Sequence, residues 1–201
     1  MRSSSIEASA SREGVVLPAT NDLTNRALNV FLADVELKAY RMANIALRHD
    51  ADALDAVQDA MLQLSRRYAA RPPSEWRPLF YRILENRIRD AQRRRTVRGR
   101  FMAWLPWNAA EADSAADPLD HAPDLTPGPA AHAEGAEIMV ALQAALQRLP
   151  TRQRECFLLR SLEGMDVAET AAAMGCSDGS VKTHYSRAVQ SLRAQLGEFW
   201  T

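Results

Sequence analysis

Asp166 to Leu196 reads DVAETAAAMGCSDGSVKTHYSRAVQSLRAQL. Gly175, Cys176, Ser177 and Asp178 interrupt a helical pattern as a tight turn would, so the spacing predicts a helix-turn-helix whose second helix can enter a DNA major groove. Val181, Tyr185, Ala188, Leu192 and Leu196 recur every three or four residues, which puts one apolar side of that helix inward. The outward side carries Lys182, Thr183, Ser186, Arg187 and Gln190: cations for phosphates, hydroxyl and amide groups for base edges. Ser177 or Asp178 is placed to cap the helix start, where the dipole also suits a phosphate. Val167, Ala168, Ala171, Ala172 and Met174 keep the preceding helix slim enough to cross it. Such a pair also occurs as an ordinary capped surface pair in a bundle.

The rest of the chain sharpens this. Its 201 residues, with 25 basic and 25 acidic side chains, are formally neutral, yet the charges are segregated. Twelve arginines lie between Arg66 and Arg100 against Glu75, Glu85 and Asp90, a net of 12 − 3 = +9, and residues 101 to 147 contain no Lys or Arg while seven carboxylates accumulate there. Charge blocks of this kind mark interaction segments. No apolar run reaches the ~20 residues of a membrane span, and the Ser-rich start lacks the apolar centre of a secretion signal. The expectation is a cytoplasmic protein with no membrane insertion. Cys156 and Cys176 are too few for a disulfide framework, and the four histidines are scattered; no metal site and no cofactor is expected. No nucleophile with a base and no phosphate-cradling Gly loop is present, so the chain is not expected to be an enzyme.

Residues 1–22 are unpatterned and read as a disordered leader. Leu28, Leu32, Val35, Ala39, Met42 and Ala46 then define an amphipathic helix to about Leu47. A second helix starts at His49-Asp50-Ala51-Asp52, with either Asp able to cap it; Leu54, Val57, Met61, Leu64 and Tyr68 form its inward stripe and Asp55, Gln58 and Asp59 stay outside. That acidic face fits solvent or a basic partner equally well. Pro72 and Pro73 break the pattern. The third helix, from Glu75 to about Arg95, puts Trp76, Phe80, Ile83, Leu84, Ile88 and Ala91 on one side and Arg82, Asn86, Arg89 and Arg93 on the other. Arg87 falls on the apolar side, which calls for an acidic partner or a snorkelling stem. The arginine density, with Trp76 and Tyr81 beside a proline loop, fits a surface that holds phosphates and stacks unpaired bases. Residues 101–134, acidic and with five prolines, read as a linker in which Trp104 and Trp107 can dock back. Ile138, Ala141, Leu142, Ala145 and Leu149 begin a C-terminal unit, 135–201; Thr151 caps the next helix, with Cys156, Phe157, Leu159 and Leu162 as core and Gly164 as its stop. The fold class is all-α: two small helical domains, 23–100 and 135–201, joined by an acidic Pro-rich linker.

Three segments in this order carry a resemblance: DALDAVQDAMLQL from Asp52 to Leu64, WRPLFYRILENRIRD from Trp76 to Asp90, and LPTRQRECFLLRSLEGMDVAETAAAMGCSDGSVKTHYSRA from Leu149 to Ala188. The chain resembles a bacterial RNA polymerase sigma factor of the sigma-70 family, extracytoplasmic-function (ECF) subfamily. The resemblance implies that Asp55, Gln58 and Asp59 dock on clamp helices of the core RNA polymerase. It implies that Trp76, Arg82, Asn86, Arg89 and Arg93 recognise and melt the −10 promoter region, with a flipped base held in a pocket. It implies that a winged-helix-like C-terminal unit reads the −35 element through Lys182, Thr183, His184, Ser186 and Arg187, although Arg is commoner in the family where His184 stands. The acidic linker would thread the path later taken by nascent RNA, though a solubilising spacer would have the same composition. The implied partners are core RNA polymerase, promoter DNA and an anti-sigma protein.

Two other readings compete. A LuxR-type helix-turn-helix regulator would share VKTH near its recognition helix, but the N-terminal half lacks the alternating strands and helices of a receiver domain. A sigma mimic that only sequesters an anti-sigma protein would need neither the arginine row nor the aromatic loop.

Overall fold

The computed structural model describes residues 18–104 and 129–197, with side chains from 22–97 and 137–197. Those residues form seven helices and no strand: α1 Pro18–Leu47, α2 Asp50–Tyr68, α3 Pro73–Trp104, α4 Pro129–Arg148, α5 Thr151–Ser161, α6 Val167–Met174 and α7 Asp178–Leu196. Helix therefore starts within the stretch read as leader and enters the linker from both ends. Residues 1–17 and 105–128, with Trp107 and most of the acidic run, lie outside the described residues, as does the side chain of Trp104.

The first three helices pack as the apolar spacing dictates. Trp76, Phe80, Ile83, Leu84, Ile88 and Ala91 of α3 are all buried, as are Leu28, Val35, Ala39 and Met42 of α1. On α2 the inward stripe needs correcting. Its buried residues are Ala53, Ala56, Val57, Ala60 and Leu64, while Leu54 is 49% exposed. The buried side of α2 is centred on these residues, and Leu54 falls at its edge. Neither Asp caps α2: the Asp52 amide donates to His49 Nδ1 at 3.2 Å, leaving Asp50 and Asp52 in the first turn, where the dipole favours them. Arg87 finds its acidic partner, donating to Gln63 Oε1 at 2.8 Å with Nε 3.8 Å from Asp59.

In the C-terminal unit, Val181, Ala188, Leu192 and Leu196 of α7 are buried, and Tyr185 is stacked on Phe157. Ile138 is 44% exposed rather than core; Ala145 and Leu146 at the other end of α4, and Leu149 just after it, are buried instead. Nor does Thr151 cap α5, whose N-cap is Pro150: the Gln153 and Arg154 amides donate to the Pro150 carbonyl. α6 opens with a reciprocal capping box, the Glu169 amide on Asp166 Oδ1 at 2.8 Å and the Asp166 amide on Glu169 Oε2 at 2.9 Å. Gly175 ends it at φ +63°, a left-handed turn that L side chains resist. Ser177 then caps α7 through the Ser180 amide at 3.2 Å.

The two groups of helices do not stand apart. α6 lies against α3 and α4 touches α1, so the helix-turn-helix rests on the outward face of the arginine helix.

Candidate nucleic-acid interface

α7 presents the side that the sequence assigns to a partner. Lys182, Thr183, Ser186, Arg187 and Gln190 are exposed, over a back held by Val181, Ala188 and Leu192. Arg160 lies over the Tyr185 ring at 5.8 Å, and the Ser161 and Tyr185 hydroxyls are 3.3 Å apart, so the helix is fixed from behind. Thr183 donates its hydroxyl to the Gly179 carbonyl at 2.9 Å, which leaves the oxygen free to accept. At the α7 start, Ser177, Gly179, Ser180, Thr183 and His184 line an open depression of about 320 Å³, a place where the free amides and the dipole favour an anion. His184 differs from its neighbours. It is half-buried and its Nδ1 is shielded with no hydrogen-bond partner, so only its other ring nitrogen can address a ligand.

On α3, Arg82, Asn86, Arg89 and Arg93 follow one another at four, three and four residues and share one face. Arg82, Asn86 and Arg93 are exposed. Trp76 does not join them: it is 2% exposed, its ring 5.9 Å from that of Phe31. Tyr81 is fully buried against Phe80. Their expected role in stacking bases is corrected here. Both belong to the apolar period of α3, and the proline loop does not turn them outward.

The arginine face is partly covered. Arg82, Glu85, Asn86 and Arg89 line a polar cavity of about 180 Å³ whose far wall is Ala173, Met174 and Gly175 of the helix-turn-helix. Arg89 Nη2 donates to both oxygens of Glu155 on α5 at 3.2 Å, and Arg152 Nη1 donates to Glu155 Oε2 at 2.9 Å. The Glu155 carboxylate is 1% exposed. Glu85 is buried beside this group, 3.9 Å from Arg89. Desolvation, and then the charge of Glu155, push its carboxyl up to about 8, against the pull of Arg89, Arg154 and Arg152. Nearby, Tyr81 and Glu163 face each other in the contact without meeting hydrogen-bond geometry; burial raises both. Sequence reasoning missed Glu155, Glu85 and Glu163. A Glu inside an arginine-rich helix reads as a solvated charge until tertiary structure buries it.

Asp55, Gln58 and Asp59 are exposed together on α2. Leu54 and Leu62, each 49% exposed, flank them at helical spacing. This face is therefore amphipathic, an acidic centre with an apolar residue at either end. The exposure of Leu54 was hidden by its fit to the inward stripe.

Cys156 is buried, donates to the Val181 carbonyl at 3.3 Å and has its thiol pushed up to about 11 by burial, so it stays protonated. Among the described residues no three His, Cys, Asp or Glu side chains gather as a metal ion would require, and no helix is long and apolar enough to cross a membrane.

A capped helix-turn-helix with an exposed cationic and hydroxyl-bearing second helix, set beside an arginine-lined helix, defines a protein built to meet nucleic acid. The sequence profile of sigma-70 region 4 matches residues 139–192. SigM of Mycobacterium tuberculosis, an ECF RNA polymerase sigma factor, is 34% identical over 163 residues, covering 79% of this chain and 71% of the relative. EcfG of Rhodopseudomonas palustris, another ECF RNA polymerase sigma factor, is 29% identical over 182 residues, 90% of this chain and 88% of its own. The co-crystal structure of the sigma factor RpoE with the anti-sigma factor NepR from Bartonella quintana superposes with a TM-score of 0.59 at 19% identity, over 90% of this chain and 98% of that one; at that identity the likeness speaks for the fold. The chain belongs to the ECF group of RNA polymerase sigma factors. That membership sets aside the LuxR-type reading.

Proposed function

We propose that this sigma factor joins core RNA polymerase to two promoter elements through three separate faces. The acidic face of α2, Asp55, Gln58 and Asp59, takes a basic helical surface of the polymerase, and Leu54 and Leu62 add apolar contact at its ends. α7 reads the −35 element with Lys182, Thr183, Ser186 and Arg187, while His184 contributes from the edge. Arg82, Asn86, Arg89 and Arg93 hold the −10 region, and strand separation is supported by cations and an amide rather than by Trp76. The chain works as two units, 23–100 and 135–201, joined by the linker 101–134, in the compartment that holds the chromosome. An anti-sigma protein regulates it, as the neighbouring fold captured with NepR suggests.

The observation that carries this reading is the alignment of Arg82, Asn86, Arg89 and Arg93 on one face of a helix whose opposite face is the core. Arg82, Asn86 and Arg93 of this row stay exposed, while Arg89 is held by Glu155. Its test is run-off transcription on genomic fragments with purified core polymerase, with and without the chain. Chain-dependent initiation at discrete start sites is expected; no stimulation and no binding to core polymerase would remove the proposal.

A further inference from the structure

The cavity between α3 and the turn after α6 has the walls of an anion site. Its volume is about 180 Å³, room for about six waters at ~30 Å³ each and less than the roughly 300 Å³ at which pockets for organic ligands begin. A small ion fits; a nucleotide does not. Arg82, Asn86 and Arg89 line it from α3, and among the described residues Arg82 and Asn86 make no hydrogen bond or ion pair within the chain. Their guanidinium and carboxamide donors are therefore available to an occupant. We propose that this cavity binds a tetrahedral oxyanion, free phosphate or the phosphate group of a small monoester, with Arg82, Asn86 and Arg89 as its donors. The site stands without the reading of α3 as a DNA surface; its consequence for promoter binding rests on that reading.

Nothing in the lining repels an anion strongly. The far wall is Ala173, Met174 and Gly175, which carry no charged side chain. The Met174 carbonyl, at the negative end of α6, already accepts from Arg152 at 3.0 Å. Gly175 leaves the Arg82 end of the cavity open, since a Cβ there would stand 3.7 Å from Arg82 Nη2. Glu85 is the one acid in the lining. Its carboxyl, pushed up to about 8 by burial and then by Glu155, is mostly protonated at pH 7 and is able to donate. With Glu85 neutral, Arg82, Arg89, Arg152 and Arg154 lie in or beside this group against one carboxylate, Glu155. A doubly charged oxyanion would offset that excess, and Arg presents paired donors to phosphate as it does to a carboxylate. An anion held here occupies three of the four residues given to the −10 region, so it competes with promoter DNA for them.

The test is isothermal titration calorimetry of the full chain at pH 7 with inorganic phosphate and, separately, with glycerol phosphate, against chloride at matched ionic strength. Saturable binding of one equivalent is expected for phosphate and not for chloride. Binding of both phosphates assigns the site to the ion itself, and binding of the ester alone assigns it to monoesters. Gly175→Asp sets a carboxylate against Arg82 from the far wall without touching α3, and should lower the affinity at least about tenfold. Gly175→Asn has the same size and tolerates the same left-handed turn, so it should retain most of the binding. Arg82→Gln should also lose it, and serves if Gly175→Asp fails to fold. No saturable binding of either phosphate, or equal affinities in the folded Asp and Asn variants, would overturn the site. A second readout is a labelled single-stranded oligonucleotide carrying the −10 region of a start site mapped by run-off, which phosphate should displace more than chloride does. If phosphate binds and the oligonucleotide is unaffected, the site stands, and the DNA role of Arg82, Asn86 and Arg89 fails.

Discussion

Replacing Arg187 with Ala should change how promoter binding responds to salt more than it changes the protein. Arg187 is exposed on α7, over a back fixed by Val181, Ala188 and Leu192, so its loss leaves stability within about 0.5 kcal/mol. If its guanidinium neutralises one phosphate, the slope of log K against log salt concentration becomes shallower by about 0.9. Between 50 and 200 mM salt the logarithm of concentration changes by about 0.6, so the advantage of the parent over the variant should fall about 3.5-fold across that range. The assay is the affinity of reconstituted holoenzyme for a promoter fragment, by fluorescence anisotropy, at four or more salt concentrations. Arg26→Ala, an exposed charge on α1, makes the same change in net charge elsewhere and should leave the slope alone. Parallel slopes for Arg187→Ala and the parent would refute the placement of this arginine on phosphate, even if affinity fell.

Three further expectations follow from particular positions. Gly175→Ala forces an L side chain to φ +63° at the end of α6, and should cost about 1 to 2 kcal/mol in denaturant unfolding; Gly175→Asn, which tolerates that conformation, should cost less, and an equal loss would point to crowding instead of backbone strain. Leu54→Ser should weaken capture by core polymerase several-fold with an unchanged melting temperature, because this leucine is half exposed beside Asp55; a lower melting temperature with normal capture would return it to the core. Stability should also depend on pH. Glu85 has its carboxyl raised from 4.5 to about 8 when buried beside Glu155, with Arg89, Arg152 and Arg154 opposing. Folding therefore takes up a proton between those values: this group's contribution to stability is fully present near pH 4.5 and is lost as pH rises through about 8. Glu85→Gln should flatten the pH dependence of stability in denaturant unfolding over that window, and an unaltered profile would mean that another group titrates.

The periodic parts of the chain were legible because burial on a helix repeats every three to four residues. The α3 stripe from Trp76 to Ala91 and the α7 stripe from Val181 to Leu196 follow from spacing alone, as does the turn at Gly175; of the two caps open to α7, Ser177 and Asp178, the structure chooses Ser177. The outward sets on both helices follow as their complements. Less legible were rotations within a stripe. Leu54 fits the inward period of α2, but the buried side is centred on Ala53, Ala56, Val57, Ala60 and Leu64, which leaves Leu54 at its edge. Trp76 was read twice, as core by spacing and as a base contact by company, and Tyr81 as a base contact alone; packing against Phe31 and Phe80 decides for the core in both.

By itself the sequence determined the helices, the faces they offer and the family to which the chain belongs, since each depends on local spacing or on residues in a fixed order. Only the tertiary structure decided that the helix-turn-helix lies on the arginine helix and that Glu155 reaches Arg89, 66 residues away along the chain. A contact across that separation leaves no periodic trace: its two charges look like solvated surface in their own helices, and only their burial against each other turns them into a pair.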